Sequence, residues 1–486
     1  MREHRYTAPP RGSGFLFGKG GLHLTARETI AAISTPLGEG GIGIVRISGE
    51  EAFRIGKKIF VPKKDPTRDY PRSHYLYYGH IYSEQGELID EVLLTFMRAP
   101  RTYTREDTVE INCHSGIFTL RLILKRVLEA GARMARPGEF TRRAFLNGRI
   151  DLSQAESILK IIRARSDEAV KIAASNMQGR LSQEIREIRE SILNLLARIE
   201  AQLDFPEELE EEETALGREI ENELGRIKEL LENMARGAER GRAMQEGLVS
   251  AIVGKPNAGK SSLLNALLRE QRAIVHEVPG TTRDLLEGYL NIRGYPLCLI
   301  DTAGIHQTDD PVEQAGIARA KGAIADARLL IIVLDGSTAW STDDEAIASL
   351  IQPGQLVVVV INKKDLVQKI SMDEVTRRFP GYPVVRTSAI NNQGIEQLEE
   401  IIEKILDQNL GTIAGETPVM VNLRHARIVQ EACEQIGEAL QAAVTQPLEL
   451  ATIGLREAWV KLGEITGETA SDELLERVFS EFCIGK

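Results

Sequence analysis

The chain has 486 residues, of which 42% are hydrophobic and 27% charged, and its net charge is −11. This length allows about two to four domains with ordinary globular composition, and the longest apolar runs, 329–334 and 356–361, are too short to span a bilayer. Four scattered cysteines without a C-x-x-C pair argue against a disulfide framework or a zinc site, and the negative charge disfavours indiscriminate nucleic-acid binding.

Residues 1–27 are rich in Arg, Gly and Pro, without the apolar core of a signal peptide. We interpret them as a disordered extension or a misassigned start, with an organellar transit segment as the alternative. The scattered cysteines fit a reducing compartment, and we expect a cytoplasmic protein.

Residues 28–147 have a mixed pattern that predicts an α+β domain, with strands at 42–47, 92–96 and 109–111 and a helix over 116–130. From residue 148 to 246 the period becomes helical, which predicts the first part of an all-α domain. One apolar stripe recurs at spacings of three and four: Ile185, Ile188, Ile192, Leu195, Ile199 and Leu203. The acidic run 207–213 is predicted to be a solvated loop between helices, the second of which resumes by Ile220.

Residues 247–407 alternate strands and helices, as a doubly wound α/β domain does. Residues 408–486 are helical again. The sequence therefore predicts an α/β domain inserted into one discontinuous helical domain, whose second part is 408–486.

The inserted domain begins with a phosphate-binding loop, Gly254–Ser261, which matches G-x-x-x-x-G-K-[ST] in full. An apolar strand over 248–253 precedes it and a helical pattern over 262–268 follows. In such loops the backbone N–H groups surround the phosphates, the lysine (Lys260) reaches the outer phosphates, and the hydroxyl of Ser261 binds Mg²⁺.

Three later motifs identify the base and the reaction. Asp301–Gly304 is a D-x-x-G motif, in which the aspartate binds Mg²⁺ through water and the glycine N–H senses a γ-phosphate. Asn362, Lys363 and Asp365 form an N-K-x-D motif, and two guanine N–H groups can donate to the Asp365 carboxylate, whereas adenine lacks that donor pair. Ser388-Ala389 matches the loop that contacts guanine O6. Four motifs in this order predict a GTPase.

Between the first two motifs, Gly280–Asp284 is the candidate first switch, and Thr282 is the candidate Mg²⁺ ligand that engages with the γ-phosphate. Ile305 follows Gly304, where many small GTPases carry a water-orienting glutamine. Another polar group must orient the water, and the candidates in the following segment are His306, Gln307, Glu313 and Gln314.

The phosphate-binding loop, Gly280–Asp284 and Asp301–Gly304 together resemble the TrmE–Era–EngA class of GTPases. The segments 135–141 and 143–147 and the terminal Phe-Cys-Ile-Gly-Lys (482–486) narrow the resemblance to the MnmE (TrmE) family, over residues 28–486. Members of this family modify the wobble uridine of tRNA. The resemblance implies an N-terminal folate-binding and dimerisation domain (28–147), a helical domain (148–246 and 408–486) and an inserted G domain (247–407).

The resemblance also implies partners and cofactors. It implies a homodimer that works with the FAD protein MnmG (GidA) on tRNA, and no membrane. The two proteins place an aminomethyl or carboxymethylaminomethyl group on C5 of the uridine, with a tetrahydrofolate derivative as one-carbon donor. GTP, Mg²⁺ and K⁺ are the implied cofactors of the G domain, where K⁺ takes the place of an arginine finger.

The site residues implied by the resemblance fall into four groups. Glu313 is the water-orienting carboxylate, and the K⁺ ligands are Asn257, His276, Val278 and Thr281. The GTP-binding positions, which include these K⁺ ligands, are Asn257, Ala258, Gly259, Lys260, Ser261, Ser262, His276, Val278, Gly280, Thr281, Thr282, Asp301, Thr302, Ala303, Gly304, Asn362, Lys363, Asp365, Ser388 and Ala389. The folate positions are Arg46, Glu110, Arg149 and Lys486, although many members have lysine in place of Arg149. Cys483 is either a reactive thiol beside the folate site or a small buried apolar group.

Two interpretations stay open at this stage. The arginines of 133–143 either contact tRNA or have a structural role. A ribosome-assembly GTPase that binds RNA without modifying it is the alternative function, but such a factor would more often carry a KH-type module, and the chain has no G-x-x-G loop in that context.

Overall fold

The computed structural model describes residues 28–64, 70–164, 166–204, 213–270, 288–300, 324–410, 422–445 and 447–486. These form two compact units. The first contains 28–149 together with 471–486, and the second contains 150–470. In the described ranges no helix is long and apolar enough to cross a membrane.

The first unit is built on a seven-stranded sheet of order β3-β4-β5-β6-β2-β1-β7. All its neighbouring strands are antiparallel except β1 and β7. The strands are β1 (Ile30–Ile33), β2 (Gly40–Ser48), β3 (Phe60–Pro62), β4 (Tyr75–Tyr82), β5 (Leu88–Met97), β6 (Thr108–Ser115) and β7 (Arg133–Met134). The helices are α1 (Ala52–Ile59), α2 (Ile117–Glu129), α3 (Glu139–Leu146) and, from the far end of the chain, α14 (Asp472–Ser480).

The larger of two hydrophobic clusters in this unit lies between the sheet and helices α1 and α2. Val45, Ile111, Ile55 and Ile123 are fully buried in it. The predicted strands and helix of this domain are confirmed, with α2 one residue shorter at each end than expected.

The placement of residues 471–486 differs from the domain boundary expected from the sequence. The helical pattern assigns this segment to the second part of the helical domain, whereas it belongs to the first unit. An ideal Cβ on Gly138 would lie 2.3 Å from the carbonyl oxygen of Phe479. The chain approaches that closely because residue 138 has no side chain and adopts φ +65°.

The second unit contains a helical bundle made from both flanks of the inserted domain. Its elements are α4 (Leu152–Arg163), α5 (Asp167–Met177), α6 (Arg180–Asp204), α7 (Glu213–Glu246), α12 (Leu423–Thr445) and α13 (Glu449–Thr466). Side chains of α6, α7, α12 and α13 share one core. The discontinuous helical domain is thus formed as the apolar periodicity predicts, except that Leu203, in the last turn of α6, is 39% exposed.

The inserted domain is a six-stranded sheet of order β13-β12-β11-β8-β10-β9, parallel except at its β9 edge. Its strands are β8 (Leu248–Val253), β9 (Gly288–Ile292), β10 (Tyr295–Ile300), β11 (Leu329–Asp335), β12 (Leu356–Asn362) and β13 (Val384–Arg386). Its helices are α8 (Lys260–Glu270), α9 (Thr342–Ala348), α10 (Met372–Arg378) and α11 (Ile395–Leu410). Every residue of β11 and β12 is buried, as continuous apolar runs in a parallel sheet predict.

A buried charged cluster joins α4 to the beginning of α12. The Glu156 carboxylate accepts a hydrogen bond from Nε of Arg424 (2.8 Å) and lies 2.6 Å from Nε2 of His425, which is 1% exposed. Asn422 donates to the same carboxylate (3.2 Å). Burial lowers the pKa of His425 to about 4 and that of Lys160 to about 8.

Candidate functional site

The phosphate-binding loop connects β8 to α8. It contains two glycines at positions where any side chain would clash with neighbouring atoms. An ideal Cβ on Gly254 would lie 2.3 Å from the carbonyl oxygen of Val333, and one on Gly259 would lie 2.2 Å from Nδ2 of Asn362. Gly259 also adopts φ +95°, where side chains are strained. The loop can therefore approach a phosphate chain closely at the N-terminus of α8, where backbone N–H groups favour anions.

Lys260 is held over this loop. Its Nζ donates to the carbonyl oxygens of Gly254 (2.8 Å) and Lys255 (3.1 Å). Burial lowers the pKa of the Lys260 ammonium, because a charged group is disfavoured where water is excluded. Ser261 and Ser262 follow in the first turn of α8, and both are exposed.

Asn362 links the phosphate-binding loop to the base-recognising loop through hydrogen bonds of its side chain. Its side chain is 2% exposed. Its Nδ2 donates to the carbonyl oxygen of Ala258 (3.0 Å), and its Oδ1 accepts from Thr387 Oγ1 (3.2 Å) and from the N–H of Ala389 (3.1 Å). The asparagine of the N-K-x-D motif thus holds the two loops at a constant separation.

The other two motif side chains are also positioned by neighbours. Oδ1 of Asp365 accepts from Oγ of the buried Ser388 at 2.5 Å. Nζ of Lys363 lies 2.7 Å from Oδ2 of Asp335. Although burial opposes it, bonds from Lys363 and Ser337 hold the pKa of Asp335 below its usual range.

The groups that support these motifs could not be picked out from the sequence pattern. Thr387, Asp335 and the ion pair between Lys255 and Asp344 were not among the candidate residues. Only Asp335 carried a signal, because it ends an apolar strand at the same sheet edge as the other motifs.

Ten of the predicted GTP-site residues lie outside the residues that the structure describes. They are His276, Val278, Gly280, Thr281, Thr282, Asp301, Thr302, Ala303, Gly304 and the candidate catalytic Glu313. Within the described ranges, no group of three or more His, Cys, Asp or Glu side chains could hold a metal ion.

A second site lies in the first unit, where Arg46 and Glu110 occupy directly paired positions on β2 and β6. Arg46 Nε donates to Oε1 of Glu110 at 2.8 Å. Nη1 of Arg46 and Oγ of Ser34 both donate to the carbonyl oxygen of Gly485, at 3.4 and 3.1 Å. Residues from both ends of the chain therefore meet in one place.

Tyr103 links this pair to Arg149. The guanidinium of Arg46 lies 5.7 Å, and that of Arg149 4.7 Å, from the centre of the Tyr103 ring. The Tyr103 hydroxyl is within hydrogen-bond distance (2.9 Å) of Thr141 Oγ1, and burial raises its pKa. Two of the four expected folate positions, Arg46 and Arg149, thus lie against one aromatic ring, and a third, Glu110, is hydrogen-bonded to Arg46.

The fourth expected folate position, Lys486, and the candidate thiol Cys483 lie in the tail that follows α14. The N–H of Lys486 donates to the carbonyl oxygen of Cys483 (3.3 Å), and the same oxygen accepts from Gly138 N–H (3.4 Å). The Cys483 side chain is exposed, so it is not the buried apolar group that the sequence offered as one alternative.

The arginines of 133–143 include two with structural contacts. Arg133 Nη2 lies 2.7 Å from Glu139, and Arg143 Nη1 lies 3.0 Å from Glu106. Arg143 is 8% exposed. For these two, the structural interpretation is the one that the geometry favours.

Two family models match the chain: one for the MnmE helical domain over residues 152–483, the other for the N-terminus of the GTP-binding protein TrmE over 29–149. The chain belongs to the MnmE family. It is 44% identical to a tRNA modification GTPase MnmE from Bacillus velezensis and 46% to one from Geobacillus kaustophilus, covering 100% of each. These alignments span 94% and 95% of this chain.

Family membership confirms the predicted fold class: an α+β N-terminal domain, a helical domain and an inserted P-loop G domain. It also confirms that the chain is a GTPase that takes part in tRNA modification, with GTP as its nucleotide.

Proposed function

We propose that this GTPase acts with an FAD-binding partner of the MnmG (GidA) kind to add an aminomethyl or carboxymethylaminomethyl group to C5 of the tRNA wobble uridine. A tetrahydrofolate derivative is the proposed one-carbon donor. The observation that carries the proposal is the meeting of Arg46, Glu110 and Gly485 in one site. A site for GTP hydrolysis alone would not need it, because it lies in the other unit of the chain.

The chemistry of the pair fits a folate. A carboxylate such as Glu110 accepts hydrogen bonds from the amide and amino groups of a pterin, and the hydrogen bond from Arg46 orients that carboxylate. Arg149 and Lys486 supply positive charge for the anionic end of the ligand. Glu110 is 23% exposed at its side chain, and thus accessible to a ligand.

The cations of the G domain are also proposals. Ser261 and Thr282 would hold Mg²⁺, and Asn257, His276, Val278 and Thr281 would hold K⁺. Asn257 fits, because it is exposed in the loop and adopts φ +58°. Bound cations would offset the charge that develops between the β- and γ-phosphates. Glu313 is the proposed group that orients the attacking water.

We also propose a cytoplasmic homodimer through the first unit. Leu76, Tyr78 and Leu93 are 57%, 43% and 43% exposed on neighbouring strands β4 and β5. Tyr78 and Leu93 are directly paired, so their side chains share one face. An exposed apolar patch of this kind supports an interface with a second copy. Leu93→Glu should lower the apparent mass in solution to that of a monomer.

The modification is tested by mass spectrometry of tRNA nucleosides from cells that lack the protein. Wobble uridines should lose their substituent at C5, and wild-type protein should restore it. Glu110→Gln should fail to restore it, while the control Glu87→Gln, an exposed glutamate in a hairpin, should succeed. Unchanged wobble nucleosides in the deleted cells would exclude the proposal.

A further inference from the structure

An open pocket of about 480 Å³ lies beside Arg149 in the first unit. The rest of its lining comes from Met97, Pro100, Arg101, Thr102, Tyr103 and Arg105. Three of its lining residues are arginines, Arg101, Arg105 and Arg149, and none is acidic. The volume is in the range of small-molecule sites, and the charge is unusual in a chain whose net charge is −11.

Two of these guanidinium groups are positioned without being neutralised. Nη1 of Arg105 donates to the carbonyl oxygen of Asn147 (2.9 Å), and Nη1 of Arg149 donates to that of Tyr103 (3.3 Å). In the part of the chain that the structure describes, none of the three arginines forms an ion pair. A carbonyl oxygen orients a cation but leaves its charge available for an anion.

The acidic residues nearest to Arg105 in the sequence, Glu106 and Asp107, have other partners. Glu106 pairs with Arg143 (3.0 Å) and accepts from Ser48 Oγ (2.7 Å). Oδ1 of Asp107 accepts from the N–H of Ala99 at 2.9 Å. Among the described residues, neither carboxylate forms an ion pair with an arginine of the pocket.

The backbone at Arg105 is held in a conformation that arginine rarely adopts, with φ +58°. Two contacts maintain it: Arg105 N–H to the carbonyl oxygen of Thr102 (3.4 Å), and Thr102 Oγ1 to that of Glu106 (2.7 Å). Glycine or asparagine would be less strained there. Local strain of this kind is concentrated at ligand sites, so an arginine at this position points to a ligand.

The arrangement around Tyr103 has a chemical polarity. On one side the Arg46–Glu110 pair offers a carboxylate for hydrogen-bond donors, and on the other the pocket is lined by three arginines and no acidic residue. Folates have the same polarity, with pterin amide and amino groups at one end and glutamyl carboxylates at the other. We propose that the pocket binds the glutamyl carboxylates of the folate and selects oligoglutamyl over monoglutamyl forms. This rests on the proposed folate function.

The three arginines of the pocket carry one more positive charge than the two carboxylates of a single glutamyl residue can neutralise. A single glutamyl residue has two carboxylates, one of which becomes an amide when the chain is extended, and each further residue adds one carboxylate to the total. Extension therefore places additional negative charge near Arg101, whose side chain makes no hydrogen bond or ion pair with the described residues.

The test is equilibrium binding of 5-formyltetrahydrofolate as the monoglutamate and the triglutamate to the full-length protein. The triglutamate should bind about three- to tenfold more tightly at low salt, the range expected for one or two exposed ion pairs, and the preference should shrink at high salt. Arg101→Gln and Arg105→Gln should each reduce it. Arg121→Gln, an exposed arginine on α2, is the matched control and should leave it unchanged. Arg101→Gln is decisive if Arg105→Gln unfolds.

Other results would overturn the inference. Equal affinity for the two folates, unaffected by Arg101→Gln, would remove the glutamyl site while leaving the proposed folate function intact. If neither folate binds to the wild-type protein, the glutamyl site and the proposed folate function are both excluded. If the arginine variants bind folates normally but lose affinity for tRNA, the pocket is a phosphate contact for RNA instead.

Discussion

Nζ of Lys255, in the phosphate-binding loop, lies 3.0 Å from Oδ2 of Asp344, a carboxylate that solvent does not reach. The same ammonium donates to Thr338 Oγ1 (2.8 Å). Asp344 also accepts from the N–H and hydroxyl of Ser341 at the beginning of α9. The loop is thereby attached to a helix distant from it in the sequence.

Lys255→Met should destabilise the G domain by about 3 kcal/mol, because a buried carboxylate left without its partner is costly. Chemical denaturation followed by a probe in the G domain measures this. Lys404→Met, an exposed lysine on α11, is the control and should change stability by less than about 0.5 kcal/mol. The double variant with Asp344→Asn should be less destabilised than the sum of the two single variants. Additive losses would mean that the pair does not interact.

Asn362→Ala should weaken binding of GDP and GTP alike by at least about tenfold, because it removes three buried hydrogen bonds that each contribute about 1 kcal/mol. Fluorescent-nucleotide titration measures the two affinities. Asn391→Ala, an exposed asparagine in the same loop region, should bind nucleotide normally. Unchanged affinity in Asn362→Ala would show that the two loops hold their positions without it.

The phosphate-binding loop and the N-K-x-D motif can be predicted from sequence because each is a short contiguous pattern. The supporting contacts cannot. Lys255 and Asp344 are 89 positions apart, and Arg424 and Glu156 are 268 apart. Nothing in either local segment specifies its partner, since a charged residue in a helix usually faces solvent.

Apolar periodicity likewise predicts where helices form, but it does not predict which other parts of the chain pack against them. Leu203 continues the apolar stripe of α6, yet the helix ends one residue later and the side chain remains partly exposed. Residues 472–480 form the expected helix, but the packing partner is decided by two glycines, Gly138 and Gly485, that allow a close approach. Such contacts depend on tertiary distances that a linear pattern does not contain.

Asn257→Gly should test the K⁺ proposal without altering the loop backbone, because glycine adopts the same positive φ readily. We expect GTP hydrolysis in K⁺ to fall by about tenfold or more, towards the wild-type rate in Na⁺. Steady-state phosphate release in the two salts measures both. A wild-type protein that hydrolyses GTP equally fast in Na⁺ and K⁺ would refute the role of Asn257.

Gly485→Ala should displace the tail from the folate site. Residue 485 adopts φ +98°, and an added Cβ would lie 2.2 Å from the carbonyl oxygen of Ile33. We expect folate affinity to fall by about tenfold, as for loss of one or two hydrogen bonds to a charged group, with GTP hydrolysis unchanged. Gly86→Ala introduces similar backbone strain, at φ +83°, with nothing within 4 Å of the new atom, and should bind folate normally. Equal effects of the two substitutions would mean that strain alone matters.

The buried cluster predicts a loss of stability in mild acid. The pKa of His425 is lowered to about 4 by burial, with Arg424 and Lys160 acting in the same direction and Glu156 opposing. The unfolded chain takes up this proton near pH 6.5, so acidification from about 6.5 to 4 favours unfolding by up to about 1.4 kcal/mol per pH unit. Although burial raises it, His425 and Arg424 leave the pKa of Glu156 far below its usual range, so its contribution is lost only at lower pH.

Amide exchange within α12 at a series of pH values, corrected for the intrinsic rates, measures this dependence. His425→Gln should flatten it between pH 6.5 and 4, because the substituted side chain does not titrate. A variant with the same pH dependence as the wild type would show that His425 is not the group responsible.

Gly259 and Asn362 share one volume, since the amide of Asn362 fills the space where a Cβ at 259 would be. Neither position can therefore vary independently during evolution. A larger residue at 259 requires a smaller one at 362, and the smaller side chain cannot form the hydrogen bonds that Asn362 makes with Ala258 and Ala389. In a saturation-mutagenesis map, single substitutions at either position should be poorly tolerated. Double substitutions that restore the volume should be poorly tolerated as well, because the hydrogen bonds of Asn362 are lost.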